Sequence, residues 1–276
     1  MSKKVVKKTI RKVINNIFKK KVVKAKAKTR LIVANWKMNP VTLKEGLKTF
    51  AILKRIDLKK IKDTIVICPP DIYLADFSLK YKGSKFKFGA QDVSVTNNPE
   101  STGEISAEQL KNLKVEYVII GHSERRALGE SNSVVAKKIR NAVEKGLKVI
   151  LCIGEETRDI NGDYLRFIEK QLLESLDGFN KKYISNLYIA YEPVWAIGRG
   201  HGAVESHDLH QMNLFIKKVL VGIFDRKIGL SVPIIYGGSV DEENAKQLID
   251  SGEVEGLLIG RASLNPSVFV NILKLI

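Results

Sequence analysis

Glu192 stands at the end of a short apolar run, a position where an enzyme can place a general base. The run LYIAY (residues 187–191) has the length and the apolar and aromatic content of a buried strand. The residues after Glu192 read PVWAIGRG, so a stiff segment leads into a glycine-containing one that can change conformation. The pattern therefore predicts a carboxylate base beneath a closing loop. By itself it also fits an ordinary strand-to-helix loop with a solvated glutamate.

Polar residues follow other apolar runs as well. Asn35 and Lys37 end the first run, on either side of a tryptophan, and His122 ends the fourth. A lysine is ordinarily a surface residue, and a lone histidine is ordinarily a satisfied core residue. Their places at the ends of runs favour a site in which Lys37 is a fixed cation and His122 is the imidazole partner of Glu192.

From Leu31 onward, eight short apolar runs alternate with longer segments of helical spacing. Eight strand–helix units over about 245 residues match an α/β fold of the (β/α)8 barrel type, which typically needs about 250. The alternative is a doubly wound open sheet, whose first strand usually leads into a glycine-rich phosphate loop; the first run here has none. The predicted organisation is a basic extension at residues 1–30 and a barrel domain at residues 31–276. The runs are RLIVANWK, TIVIC, KFKFGAQD, EYVIIGH, LKVILCIG, LYIAYEP, PIIYGGS and EGLLIG.

Two glycine-bearing turns follow the seventh and eighth runs. The first is Gly237, Gly238 and Ser239, and the second begins at Gly260. In a (β/α)8 barrel these turns are the usual phosphate site, because free backbone N–H groups and a helix N-terminus point outward there. The substrate is therefore expected to be a small phosphate ester.

A glutamate and a histidine without a metal cluster or a nucleotide motif favour proton transfer next to a carbonyl, which needs no cofactor. His207 and His210 are three residues apart, but no cysteine or third ligand accompanies them, so a solvated helix face is a better interpretation than a metal site. Two other classes stay open at this point. An aldolase would need a Schiff-base lysine in mid-barrel or metal ligands, and a non-catalytic binding protein would act mainly through its basic tail.

The basicity of the chain belongs to its N-terminus. The formal net charge of the 276 residues is +17, and residues 1–30 contain 13 lysines and arginines and no acid. The remaining residues have 34 basic and 30 acidic side chains. Cys68 and Cys152 each close an apolar run, which predicts buried thiols rather than a disulfide framework. No apolar run approaches the roughly 18 residues that a membrane span needs.

Residues 1–30 admit four interpretations. Val6, Ile10, Val13 and Ile17 recur at helical spacing among lysines, which predicts a basic amphipathic helix. Such a helix suits an organelle-targeting sequence, an anchor on an anionic membrane or a nucleic-acid arm. The fourth interpretation is a lysine-rich disordered extension. A cytoplasmic location is expected, with organelle targeting as the alternative.

Six further strings occur in order along the chain: NWKMN at 35–39, TGEIS at 102–106, GHSERR at 121–126, CIGE at 152–155, AYEPVWAIG at 190–198 and YGGSV at 236–240. Together they give the chain a specific resemblance to the triosephosphate isomerase family. The resemblance implies interconversion of dihydroxyacetone phosphate and D-glyceraldehyde 3-phosphate, in glycolysis and gluconeogenesis, by a homodimer. It implies that Glu192 moves the proton, that a neutral His122 polarises and protonates the oxygens, and that Lys37 and Asn35 stabilise the enediolate.

The same resemblance implies further binding and supporting residues. The substrate phosphate is expected to accept hydrogen bonds from the backbone N–H groups of Gly198, Ser239, Gly260 and the following Arg261. Three supporting roles are also implied: Tyr236 latches the closed loop, Glu124 supports Lys37, and Thr102 reaches across the dimer to the neighbouring site.

The chain departs from the family pattern in two places. Arg261 stands where a second glycine of the last phosphate turn is usual, and the end of the closing loop reads RGHGA at 199–203 where TGKTA is commoner. The backbone N–H of Arg261 remains available if its backbone angles allow. The change in the loop bears on loop motion more than on the chemistry.

Overall fold

The computed structural model describes residues 29–196 and 204–276. Eight parallel strands close into a barrel in chain order, with the first strand paired to the last through Leu31 and Gly256. The predicted (β/α)8 barrel is therefore confirmed, and each of the eight apolar runs forms one of its strands. The strands are β1 Leu31–Asn35, β2 Thr64–Cys68, β3 Phe86–Ala90, β4 Tyr117–Ile120, β5 Lys148–Ile153, β6 Leu187–Tyr191, β7 Ile234–Tyr236 and β8 Gly256–Ile259.

Helices surround the barrel, and their starts follow local capping residues. Thr42 and Ser106 each form a capping box at the start of a helix, and Ser131 accepts a hydrogen bond from the N–H of Val134. The helices of the described residues are α1 Leu43–Arg55, α2 Leu74–Ser78, α3 Ala107–Asn112, α4 Ser123–Ala127, α5 Asn132–Glu144, α6 Asp163–Ser175, α7 Ser206–Ile223, α8 Arg226–Ser231, α9 Ala245–Gly252 and α10 Pro266–Leu275. Short 3-10 turns lie at Asp71–Tyr73, Lys181–Asn186, Val194–Ala196 and Arg261–Leu264.

Alternate residues of each strand pack into two separate apolar clusters. In β1, Leu31 and Val33 belong to one cluster, whereas Ile32 and Ala34 belong to the larger one that includes the helices. Because a strand places successive side chains on opposite faces, the strands fill the barrel interior and also pack against the helix layer. Burial on both faces explains why the runs are apolar throughout. Cys68 and Cys152 are buried and free, as predicted.

No helix within residues 29–196 and 204–276 is long and apolar enough to cross a membrane. Residues 1–28, which make up nearly all of the predicted extension, lie outside the described residues.

Candidate active site

Side chains from distant parts of the chain meet at the ends of β1, β4 and β6. His122 Nε2 lies 3.5 Å from Glu192 Oε1, and Lys37 Nζ lies 2.6 Å from Glu124 Oε1. A Cβ atom added at Gly260, after β8, would lie 3.6 Å from Lys37 Cε. The barrel therefore brings five of the predicted residues to one mouth, although they are spread over more than 200 positions of sequence.

Glu192 is a buried carboxylate that is only partly satisfied. It is 2% exposed, and its Oε2 accepts a hydrogen bond from the backbone N–H of Ser123 at 3.1 Å. Its Oε1 has no hydrogen-bond partner in the described residues. A buried acceptor without a partner costs free energy, so its presence calls for an explanation. The free oxygen faces His122 and is available to a proton of a bound molecule.

Glycines on the neighbouring strands leave room for Glu192. A Cβ atom at Gly237 would lie 2.7 Å from Glu192 Cγ, and one at Gly154 would lie 1.7 Å from the Glu192 carbonyl oxygen. Real Cβ contacts are essentially never this short, so both positions require glycine for steric reasons. The close approach of Gly154 fixes the backbone from which the carboxylate projects.

Gly154→Ala is expected to destabilise the fold, because the new methyl group meets a backbone carbonyl that can move only if β5 and β6 separate. Overpacking of this kind costs about 1–3 kcal/mol, which corresponds to a fall in melting temperature of several degrees in a domain of this size. The matched control is Gly222→Ala, which lies in α7 with no atom within 4 Å of the added Cβ. Calorimetry should show no loss of stability for the control; an equal melting temperature for both variants would contradict the steric argument.

His122 is held as the N-cap residue of α4. Its Nδ1 accepts a hydrogen bond from the backbone N–H of Glu124 at 3.2 Å. A ring nitrogen that accepts a hydrogen bond carries no proton, so a neutral imidazole has its proton on Nε2. His122 therefore presents the Nε2 side of its ring toward Glu192.

Lys37 is held in an uncommon backbone conformation. Its φ is 52°, in the left-handed region that few non-glycine residues adopt. Its N–H donates to Asn35 Oδ1 at 3.0 Å, and its carbonyl oxygen accepts from Gln91 Nε2 at 2.8 Å. These bonds hold the backbone while Glu124 holds the ammonium group. Gln91 was not predicted from the sequence; its only signal is its position near the end of the third run, directly after β3.

A buried glutamate after β5 forms hydrogen bonds with residues that lead into the closing loop. Glu155 is 1% exposed, and its Oε1 accepts hydrogen bonds from Tyr191 Oη at 2.8 Å and Trp195 Nε1 at 2.9 Å. Arg158 Nε lies 3.1 Å from the same oxygen and also pairs with Asp208. Burial and then the Glu155 charge raise the pKa of Tyr191 above its usual range, so the phenol keeps its proton and donates. The sequence analysis assigns no role to Glu155, although it closes the string CIGE.

Residues at the end of β7 contact both flanks of the segment 197–203. Ser239 Oγ donates to the Ala196 carbonyl at 2.9 Å. Burial raises the pKa of Tyr236 to about 12, although the backbone N–H of Val204 acts against the shift. Ala196 and Val204 are the described residues on either side of the segment. Gly198 lies within 197–203 and so outside the described residues, as does the whole unusual stretch 199–203.

The turn after β8 tolerates a side chain at its second position. Gly260 caps a 3-10 turn, and its carbonyl oxygen accepts from the N–H and the Oγ of Ser263, at 3.0 and 2.6 Å. Arg261 is exposed and is not among the described non-glycine residues with positive φ. A glycine is therefore not required there by the backbone.

Thr102 stands apart from the other predicted residues. It is exposed in the segment between β3 and α3, and no hydrogen bond or ion pair of the described residues joins it to Glu192, His122 or Lys37. His207 contacts Gln211, and His210 lies 3.6 Å from Glu253. Residues 29–196 and 204–276 contain no group of three metal-ligating side chains.

Known proteins match nearly the whole barrel. The family model for triosephosphate isomerase matches residues 30–276. The triosephosphate isomerase of Dictyoglomus thermophilum is 40% identical over 250 residues, which are 89% of this chain and 98% of that protein. The enzymes of the same name from Dehalococcoides mccartyi and Coprinopsis cinerea are 40% and 38% identical, over 88% and 87% of this chain and 95% of each relative. The chain therefore belongs to the triosephosphate isomerase family, and it interconverts dihydroxyacetone phosphate and D-glyceraldehyde 3-phosphate in glycolysis.

Proposed function

We propose that Glu192 is the base that carries a proton between the two neighbouring substrate carbons. The observation that carries this proposal is the free, buried Oε1, which faces His122 Nε2 at 3.5 Å. The Oε2 contact with Ser123 leaves that oxygen unengaged. A carboxylate that loses water beneath a closed loop becomes more basic, and exclusion of water protects the enediolate from losing its phosphate.

His122 serves as the electrophile. Its Nε2–H donates to the substrate oxygen on which negative charge develops, and then transfers a proton between the two oxygens. The support for this role is the Glu124 N–H bond to Nδ1, which fixes both the ring orientation and the position of the proton. A neutral donor whose partner nitrogen is already occupied does not need to reorganise during the reaction.

Lys37 and Asn35 stabilise the negative charge of the enediolate and its phosphate. The Lys37 side chain is 32% exposed and its Nζ is paired with Glu124, so it is an oriented cation rather than a freely solvated one. Asn35 is 5% exposed and holds the Lys37 backbone through Oδ1. The bound phosphate competes with Glu124 for the ammonium group.

The phosphate group of the substrate accepts hydrogen bonds from the backbone N–H groups of Gly198, Ser239, Gly260 and Arg261. Two contacts support this assignment. The turn after β7 contacts Ala196, on the flank of segment 197–203, and the turn after β8 lies next to Lys37. The hydrogen bond from Ser239 Oγ to the Ala196 carbonyl supports a role for Ser239 in holding the loop, and the buried Tyr236 Oη, which has no hydrogen-bond partner in the described residues, is free to latch it. Glu155 serves as the anchor for Trp195 at the start of that loop.

The direct test is an isomerase assay on the purified full-length chain, in both directions, with each triose phosphate coupled to a dehydrogenase. Both directions are expected to proceed without added metal or cofactor. Competitive inhibition by glycerol 3-phosphate, which has the phosphate but no carbonyl, tests the phosphate turns separately. A chain that binds glycerol 3-phosphate but isomerises neither triose would contradict the proposed roles of Glu192 and His122.

Arg261→Gly is expected to change the KM for triose phosphate by less than about threefold. The proposed contact is the backbone N–H, which the substitution leaves in place, and the exposed side chain packs against nothing that the contact needs. Arg261→Lys is the matched variant, since it keeps the charge. A steep loss of phosphate affinity in the glycine variant alone would identify the guanidinium group as the ligand.

The chain is further proposed to act as a homodimer. Four exposed apolar side chains follow the ends of β1, β2 and β4: Met38, Val41, Ile72 and Leu128 are each more than 80% exposed. A soluble protein rarely exposes so much apolar surface unless a partner covers it. By family resemblance Thr102 reaches into the neighbouring site from this side. Sedimentation equilibrium should give about twice the chain mass of 30.9 kDa; the mass of a single chain would contradict the dimer.

We propose that residues 1–30 contact an anionic membrane or a nucleic acid. The proposed location of the protein is cytoplasmic, and the alternative is targeting to an organelle through this extension. The support is compositional: 13 basic residues and no acid. The proposed active site draws only on residues from Asn35 onward, so this contact does not require a change in the chemistry.

A further inference from the structure

Basic residues are concentrated where the strands begin, on the side of the barrel opposite to Glu192 and His122. We call this side the αβ face; it comprises the segments that lead into each strand and the two ends of the described barrel. These segments contain 18 lysines and arginines and eight aspartates and glutamates. The segments are residues 29–30, 54–63, 79–85, 111–116, 144–148, 177–186, 224–233, 253–255 and 274–276.

The excess of basic over acidic residues is confined to the αβ face and does not extend to the rest of the barrel. Outside the αβ face, residues 31–276 contain 17 basic and 22 acidic side chains. A uniformly lysine-rich protein would have an excess of basic residues on all sides. The charge of this barrel is instead polarised along its axis, with the positive end at the start of the strands.

Compensation of the helix dipoles accounts for only a small part of the excess. Lysine or arginine in the last turn of a helix offsets the partial negative charge there. Four of the 18 basic residues occupy such turns, namely Lys54, Arg55, Lys111 and Lys274. The others include exposed residues in loops, such as Lys59, Lys60 and Lys62, which have no salt bridge to a carboxylate in the described residues.

The N-terminal extension is joined to the same face. Arg30 lies directly before β1, and residues 1–28 add 12 lysines and arginines with no acid. The five residues of β1 separate this face from Asn35 at the mouth by about 15 Å. A partner bound to the αβ face therefore leaves the mouth open to solvent, and the face shares no residue with the apolar patch proposed for the dimer.

Leucines stand exposed among these basic residues. Leu79, Leu230 and Leu275 all belong to the αβ face and are 39%, 50% and 43% exposed. The sequence of residues 1–28 likewise places Val6 and Ile10 at helical spacing among lysines. Apolar side chains next to cationic ones suit the boundary between lipid head groups and acyl chains. A nucleic-acid backbone gains nothing from leucine or valine.

We propose that the αβ face forms a docking surface for an anionic phospholipid membrane, with the mouth of the barrel turned toward the solution. This proposal deepens the membrane contact proposed above for the extension and rests on it. The face provides an excess of positive charge over a broad area, and its exposed leucines can enter the head-group layer.

The test compares two triple variants of the full-length chain that remove the same charge from different places. The face variant carries Lys59→Gln, Lys60→Gln and Lys62→Gln. The control variant carries Lys137→Gln, Lys170→Gln and Lys246→Gln, which are exposed residues on α5, α6 and α9. Co-sedimentation is measured with vesicles of phosphatidylcholine and phosphatidylserine and with pure phosphatidylcholine, at low and high salt. Binding to a 30-base-pair DNA duplex is measured in parallel.

The wild-type chain is expected to bind the anionic vesicles at low salt, to lose this binding at high salt and not to bind vesicles of pure phosphatidylcholine. The face variant should bind the anionic vesicles about 100-fold more weakly, at roughly tenfold or less per lysine removed, and the control variant within threefold of wild type. Isomerase activity should be unchanged in both, which separates this proposal from the assignment of the active site. Equal losses in the two variants, unaltered binding in the face variant, or tighter binding to DNA than to anionic vesicles would each overturn the proposal.

Discussion

Glu192→Gln is expected to lower kcat by at least about 1,000-fold while binding of glycerol 3-phosphate stays within a few-fold of wild type. The substitution removes the proposed base, and a positioned base contributes roughly 100- to 10,000-fold. The shape of the side chain is kept, so the phosphate turns are unaffected. Coupled assays and an inhibition constant measured on the same preparation give the two numbers.

The geometry also predicts a small loss of stability in this variant. Glu192 Oε2 accepts from the Ser123 N–H, and the unpaired Oε1 faces His122 Nε2 at 3.5 Å, whereas an amide can accept at one atom only. In the glutamine variant an NH2 group must face either the Ser123 N–H or His122 Nε2, which costs about 1 kcal/mol. Glu192→Asp keeps both acceptors but shortens the reach by one methylene, so it should retain more activity than the glutamine variant. Parallel loss of catalysis and of inhibitor binding would instead assign Glu192 a folding role.

The fold was predictable because burial on both sides of each strand leaves a strong sequence signal. Val33 points into the barrel and Ala34 points toward the helices, so neither position admits a polar residue, and the run stays apolar. Helix starts carried a signal of comparable quality where a capping serine precedes them, as Ser131 does for α5. Helix α9 begins only at Ala245, because Asp241 Oδ1 accepts from the N–H groups of Glu243 and Asn244 and holds them in a turn.

Contacts within the site were less predictable, since they join residues that are far apart in sequence. Nothing near Gln91 indicates that its amide binds the Lys37 carbonyl, 54 positions away. The same holds for Glu155, whose partner Trp195 is 40 positions away. Strand ends predicted which residues reach the mouth, but pairing between them depends on the order of the strands around the barrel. The hydrogen bond from the Glu124 N–H to His122 Nδ1 likewise depends on the fold around the two residues.

His122→Gln is expected to lower kcat by roughly 100- to 1,000-fold, with a smaller change in KM. A glutamine amide can still donate a hydrogen bond toward the substrate oxygen, and its oxygen can still accept from the Glu124 N–H. It cannot give up a proton and take one back, however, so it preserves orientation but removes the transfer step. Loss of proton transfer by a positioned acid–base group has an effect of this size.

The double variant distinguishes a shared step from two independent ones. If Glu192 and His122 act on the same enediolate, a chain without the base cannot use the electrophile, and Glu192→Gln with His122→Gln should lose little more activity than Glu192→Gln alone. Multiplicative losses would mean that the two residues serve separate steps. A near-normal rate for His122→Gln would remove this histidine from the mechanism, and its 3.5 Å contact with Glu192 Oε1 would then be a packing contact only.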